Sequence, residues 1–287
     1  MNYEPLTMDH RPSTIDYRPS SLDHSTLKIT QIMNRLQQLF QTKRKDILSI
    51  YYTAGYPNLT DTLTIAKALE EAGADFLEIG FPYSDPVADG PTIQASSKQA
   101  LESGMTLDLL FDQLKDLRKT ITIPILLMGY VNVVLQYGVA EFCAKCEEVG
   151  VDGCIIPDLP MYEYEELYHQ CFEQHGISNI FLVTPQTSDE RIRKIDGLSN
   201  AFIYLLSSSA TTGQNLDVSA QAKTYFSRIE SMNLINPLMI GFGISDRATF
   251  EAANQYASGA IIGSAFVKSL DSENLEGSVK EFMEEFR

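Results

Sequence analysis

Ile47-Leu48-Ser49-Ile50-Tyr51-Tyr52-Thr53, then a stretch that aligns Ile65, Ala66, Leu69 and Ala72, then Phe76-Leu77-Glu78-Ile79-Gly80: this passage decides the fold. The first and last segments are short runs rich in apolar, β-branched and aromatic residues, the pattern of buried strands. Between them the apolar residues recur at helical spacing, so they share one face of an amphipathic helix. Two strands joined through a helix form a parallel unit, because a crossover is needed to bring the second strand in alongside the first. The same alternation continues to the end of the chain. Further strands are expected around Ile123–Met128, Gly153–Ile156, Ile180–Thr184, Phe202–Leu206, Leu238–Gly241 and Ala260–Gly263. Leu107, Leu110, Phe111, Leu114 and Leu117 define another helical face, and Leu275, Val279, Phe282 and Phe286 define the last. Thr60-Asp61 and Ser245-Asp246 supply the chemistry of helix N-caps. Eight strand–helix units in about 250 residues match an α/β fold of the (β/α)8 TIM barrel type, in a single domain. A doubly wound open sheet is the alternative, since alternation alone does not show closure. The count of eight favours the barrel.

The whole chain has 287 residues, with 44% hydrophobic and 21% charged, values ordinary for a globular protein. Asp and Glu outnumber Lys and Arg 38 to 22, giving a formal net charge of −16. That balance argues against binding nucleic acid or an anionic membrane, both of which need clustered cations. No apolar run is long enough to span a bilayer and no secretory signal opens the chain, so no membrane role and a cytoplasmic location are expected. Four cysteines do not make a disulfide scaffold in a chain this long. Residues 1–32 differ from the rest. Asp9-His10-Arg11-Pro12-Ser13-Thr14-Ile15 is echoed by Asp16-Tyr17-Arg18-Pro19-Ser20-Ser21-Leu22, and a proline in each copy forbids a continuous helix. The segment reads as a disordered low-complexity tail, and 33–287 as the barrel domain; Met33 could itself be a start.

In a barrel the chemistry sits at the C-terminal ends of the strands. Glu78 interrupts an otherwise apolar strand there. Burying a carboxyl raises its pKa, which suits a group that moves a proton both ways near neutrality; a structural ion pair is the competing role. The loop that follows, Pro82 to Thr92, is long and proline-rich, and carries Asp85 and Asp89, either of which could be a turn-former. Later come three glycine-bearing strand ends: Ser207–Gln214, small and polar as a lid would be; Gly241-Phe242-Gly243; and Gly263-Ser264, which opens a helix. Glycines in those places let backbone amides approach a phosphate. Cys143 and Cys146 form a C-x-x-C within a helical pattern, and read as buried or incidental thiols rather than a metal or redox site.

Leu77 to Gln94 closely resembles the signature of the tryptophan synthase α subunit family. Tyr52–Pro57, Pro157–Pro160, Tyr204–Ser207, Gly241–Ser245 and Gly259–Ala265 extend the likeness from about Met33 to the last helix. The resemblance implies retro-aldol cleavage of indole-3-glycerol phosphate to indole and glyceraldehyde 3-phosphate, without a cofactor on this chain. Glu78 then matches the acid–base glutamate, Asp89 the aspartate that binds the indole N–H, and Tyr204 a tyrosine beside the glutamate. Tyr51 and Met128 match residues lining the indole pocket. Thr212, Gly213, Gly243, Gly263 and Ser264 fall in the lid and phosphate positions. The implied partner is a pyridoxal-phosphate β subunit in an α2β2 heterotetramer, docked on the loops after the second and third strands near Pro82, Asp85 and Asn132. Three departures stand out: Ala210-Thr211-Thr212-Gly213 where Gly-Val-Thr-Gly is common, Ser208 where some members have an arginine, and no proline after Asn132. A regulatory partner without turnover and a stand-alone lyase remain alternatives; intact Glu78 and Asp89 favour catalysis.

Overall fold

The computed structural model describes residues 33–206 and 220–286. The expected tail over residues 1–32 and the expected lid, with Thr212 and Gly213, lie outside the described residues.

Nine parallel strand segments form one sheet: β1 (Ile47–Thr53), β2 (Phe76–Gly80), β3 (Ile125–Met128), β4 (Gly153–Ile155), β5 (Ser178–Ile180), β6 (Leu182–Val183), β7 (Ile203–Leu206), β8 (Leu238–Gly241) and β9 (Gly259–Ile262). Their order is β5-β4-β3-β2-β1-β9-β8-β7-β6. The two outermost segments, β5 and β6, are consecutive in the chain and separated by Phe181 alone. β5 pairs with β4, and β6 pairs with β7. A single interrupted strand therefore joins both edges of the sheet, and the sheet closes into an eight-stranded barrel. The open doubly wound alternative is excluded. The expected fifth strand begins two residues earlier than its apolar run suggests, at Ser178.

Local signals were obeyed unevenly. Asp246 caps the helix Arg247–Asn254, accepting from the Thr249 amide at 2.8 Å. Asp61 does not cap. It stands at the N-cap position of Thr62–Glu71, but its Oδ2 accepts from the Asn58 amide and side chain at 3.2 and 2.9 Å. The face through Leu107 and Leu117 is split between two helices, Leu107–Leu114 and Leu117–Thr120, and all its leucines stay buried or nearly so.

Alternation along each strand sorts side chains into two cores. Leu48, Ile50, Tyr52, Leu77 and Ile79 point outward into the layer between sheet and helices. Ile47, Phe76, Leu126, Ile155, Ile180, Phe202, Met239 and Ile261 fill the barrel itself. One more helix, Arg35–Thr42, serves this inner core. Asn34 and Gln37 cap it reciprocally, each side chain bonding the other's backbone amide at 3.0 Å. Its buried residues Leu36 and Phe40 pack under the barrel, the Phe40 ring 5.3 Å from Phe202 and 6.3 Å from Phe76. Phe76 and Phe202 stand at the beginnings of their strands, so this helix stoppers the N-terminal end and leaves the C-terminal end open.

Asp152 locks the stopper in place. It is 1% exposed and accepts from Arg118 Nη2 at 2.6 Å, Arg35 Nη1 at 3.1 Å and the Ile125 amide at 2.9 Å. Asp152→Ala strands a half-buried guanidinium and a buried amide, and should cost about 3–5 kcal/mol in urea unfolding. Arg35→Ala removes only the more exposed arm, and should cost about 1 kcal/mol or less in the same measurement.

Candidate active site

The period of two that puts Phe76 inside the barrel also puts Glu78 and Gly80 there, two and four residues on. Glu78 is fully buried, and neither carboxylate oxygen has a hydrogen-bond partner among the described residues. No cation faces it. Burial alone drives its pKa up to about 8. This counts against the ion-pair role: the carboxyl is buried and has no partner among the described residues, which costs stability and calls for a purpose.

Two phenols flank it. Tyr51 is the register partner of Glu78 on β1, and its ring lies over Gly80. Tyr204 pairs with Met239, and its ring lies over Gly241. In each case the glycine is two residues beyond the tyrosine's partner on the neighbouring strand, and a Cβ there would overlap the phenol. The glycines are notches. Burial pushes both phenol pKa values up, and the neighbouring carboxyls push in the same direction, Asp89 on Tyr51 and Glu78 with Asp89 on Tyr204. Both stay protonated donors.

The loop after β2 separates its two aspartates. Asp85 stays at the exposed surface, where its carboxylate accepts from Ser84 Oγ at 2.6 Å, the role of a turn-former. Asp89 turns inward to 7% exposure. The Ala88 amide donates to Tyr130 Oη at 2.9 Å, and Tyr130 Oη donates to Asp89 Oδ2 at 3.0 Å. Burial raises the Asp89 pKa to about 6 against the lowering effect of that bond. Tyr130 also ties the neighbouring loops together. It stacks on Tyr83 with ring centroids 5.1 Å apart, Asn132 Nδ2 donates to Tyr83 Oη at 3.4 Å, and the Val131 amide donates to Asp158 at 2.8 Å. The Pro157–Pro160 stretch thus braces the loop that carries Tyr130.

A cavity of about 240 Å³ joins these groups to the glycine-rich strand ends. Tyr51, Glu78, Asp89, Met128, Tyr204, Gly243, Gly263 and Ser264, all singled out in the sequence, line it together. Phe242 adopts a left-handed φ of +71°, rare for a residue with a side chain, and its ring meets Tyr204 edge-on at 6.3 Å in the cavity wall. Ser264 begins the helix Ser264–Ser269, and its Oγ is buried without a partner among the described residues. The sequence reading passed over Tyr130, Phe242 and Lys268. Tyr130 follows Met128-Gly129 at the end of β3, Phe242 sits between two glycines, and Lys268 is one helical turn beyond Ser264; each position was legible, each role needed the cavity. Cys143 and Cys146 lie buried on the helix Val139–Val149. Among the described residues no three His, Cys, Asp or Glu side chains gather as metal ligands would, and no helix is long and apolar enough to cross a membrane.

The family model described as "Tryptophan synthase alpha chain" matches residues 36–286. A tryptophan synthase alpha chain of Flavobacterium psychrophilum is 57% identical over 253 residues, covering 88% of this chain and 99% of that one. Among solved structures, tryptophan synthase of Mycobacterium tuberculosis superposes with a TM-score of 0.79 at 30% identity, covering 88% of this chain and 97% of the other. A tryptophan synthase complex from Pyrococcus furiosus gives 0.76 at 34% identity, covering 84% and 98%. With the closed barrel and its carboxyl-lined cavity, these likenesses place the chain in the tryptophan synthase alpha chain family.

Proposed function

We propose that this chain cleaves indole-3-glycerol phosphate to indole and glyceraldehyde 3-phosphate, and hands the indole to a pyridoxal-phosphate β subunit in an α2β2 assembly. The observation that carries the reading is the pair of carboxyls with separated acidities in one cavity. Near pH 7 a group with a pKa of about 8 is mostly protonated and one with a pKa of about 6 mostly ionised. Environments that push two carboxyls apart leave one able to give a proton while the other holds a negative charge at the same pH.

The reaction needs that division. Indole C3 leaves poorly as a carbanion, so the Glu78 carboxyl first gives its proton to C3, making the ring a cationic electron sink. The Asp89 carboxylate accepts the indole N–H and stabilises the positive charge as it develops. Glu78, now ionised, takes the proton of the glycerol hydroxyl next to the ring. The C–C bond breaks, its electrons return to the ring, and neutral indole departs from the aldehyde. The proton lent by Glu78 is recovered, so the chain needs no cofactor of its own. Tyr51, Met128, Tyr204 and Phe242 hold the ring. The Gly243 and Gly263 backbones and Ser264 receive the phosphate, joined by Thr212 and Gly213 as the family resemblance implies.

The Tyr83–Tyr130–Asp89 chain of contacts supports a route from partner to site. Tyr83 and Asn132 belong to the loops after β2 and β3, where the β subunit would dock. A partner that orders them also orders the tyrosine that aims Asp89. The solved complex from Pyrococcus furiosus supports the partnership by analogy.

Indole release from indole-3-glycerol phosphate tests the reading. Glu78→Gln should reduce turnover by roughly 10²–10⁴-fold, since the amide keeps the shape and loses the proton. The wild-type kcat/KM should be bell-shaped in pH. It should fall as pH drops through about 6, where Asp89 takes up a proton, and as pH rises through about 8, where Glu78 loses its own. Unchanged turnover in Glu78→Gln would overturn the mechanism. Purified β subunit should raise turnover severalfold; no response would leave a stand-alone lyase.

The same pKa predicts a stability effect of opposite sense. The folded-state pKa of Glu78 lies above its ordinary value of 4.5, so the unfolded chain releases this proton first. Stability contributed by the neutral carboxyl is full below about 4.5, and is lost as pH rises to about 8. Glu78→Gln carries no such penalty. It should be more stable than wild type at pH 8 by an amount on the order of a few kcal/mol in urea unfolding, with the gap narrowing toward pH 5.

A further inference from the structure

Lys268 lines the same cavity as Glu78 and Asp89, at the rim formed by Gly243, Ser245, Gly263 and Ser264. Among the described residues it is the one Lys or Arg in that lining. Ser264 and Lys268 are four residues apart on one helix, so their side chains rise from the same face. Eight other described lysines, among them Lys43, Lys194 and Lys280, stand in ion pairs with carboxylates. Lys268 has no ion-pair partner among the described residues, and it is exposed. Beside it the Ser264 hydroxyl is buried and unsatisfied.

We propose that Lys268 is a substrate-binding and specificity residue: its ammonium supplies the counter-charge for a phosphate monoester dianion seated at the Gly243–Ser264 rim. The proposal rests on the cavity being a phosphate-ester site. Its physical need comes from the rest of the chain. A net charge of −16 repels a dianion at a distance, and the cavity already holds two carboxyls. Backbone amides and a serine hydroxyl can orient phosphate oxygens but bring no net charge. A lysine at the rim is a compact point charge on a flexible stem, able to meet the anion as it enters and to follow it inward. The ammonium lies at the phosphate end, so it separates the ligand's two halves by charge: it favours the phosphorylated substrate over neutral indole.

Titration calorimetry with two probes, glycerol 3-phosphate and indole, measures this on wild type, Lys268→Met and Lys268→Arg, alongside KM for indole-3-glycerol phosphate. Lys268→Met should weaken glycerol 3-phosphate by about three- to tenfold, the size of a partly screened charge pair, and leave indole binding unchanged. The loss should appear in KM, and Lys268→Arg should recover most of it. In wild type the glycerol 3-phosphate affinity should fall with added salt more steeply than in Lys268→Met. Equal phosphate affinity in wild type and Lys268→Met overturns the proposal. So does parallel weakening of both probes, which marks a structural role. If wild type neither binds glycerol 3-phosphate nor releases indole, the functional reading itself has failed; if it does both and Lys268→Met matches it, only the role of Lys268 has. Should Lys268→Met fail to fold, Lys268→Gln takes its place, and a wild-type affinity independent of salt is equally fatal.

Discussion

A carboxyl group in the middle of a barrel, with no ion-pair partner and no hydrogen-bond donor among the described residues, is the constraint around which the rest of the molecule is arranged. Leaving Glu78 unpaired costs free energy that pairing would recover. Keeping it buried depends on features far from it. The helix Arg35–Thr42 closes the N-terminal end with Leu36 and Phe40, and Asp152 holds that helix against Arg118 and the start of β3. A barrel stoppered at one end admits solvent and ligand only from the other. The raised pKa of Glu78 is therefore a property of the whole barrel, although a single residue displays it.

The second carboxyl is handled differently. Asp89 is carried on a loop, receives one hydrogen bond from Tyr130 and keeps part of its contact with the open end. Its pKa is raised less for that reason. Two carboxyls of similar intrinsic acidity thus come to differ near neutral pH through burial and one phenol. Tyr130 connects this difference to the outer face, since it stacks on Tyr83 in the loop after β2. In the proposed function that connection makes a subunit's docking surface and the carboxylate that stabilises the indole cation parts of one packed unit.

Space in the barrel is obtained by omission. Gly80 and Gly241 leave the notches that Tyr51 and Tyr204 occupy, and each phenol fills the place a Cβ would take. The strained φ at Phe242 turns a third ring inward. The remaining rim is nearly all backbone and small side chains, which is why the charge on Lys268 counts for more there than elsewhere on the surface.

The sequence alone carried the strand–helix alternation, the oddity of Glu78 in an apolar strand and the small residues at the late strand ends, because these follow from local pattern and side-chain volume. The resemblance carried by Leu77–Gln94 added the roles. Closure of the barrel was beyond periodicity: it turns on β5 and β6 being two halves of one strand, a pairing between residues far apart in the chain. Asp85 and Asp89 were equivalent as text, each beside a proline or glycine, and only the fold sent one to solvent and the other to Tyr130. Asp61, a good cap by composition, bonded Asn58 instead, since a nearer donor won. Lys268 looked like any surface lysine until the helix starting at Ser264 was set against the strand ends. Local order is written in residues a few positions apart; the electrostatics of the site come from residues that only tertiary packing brings together, in a place from which it also removes the water.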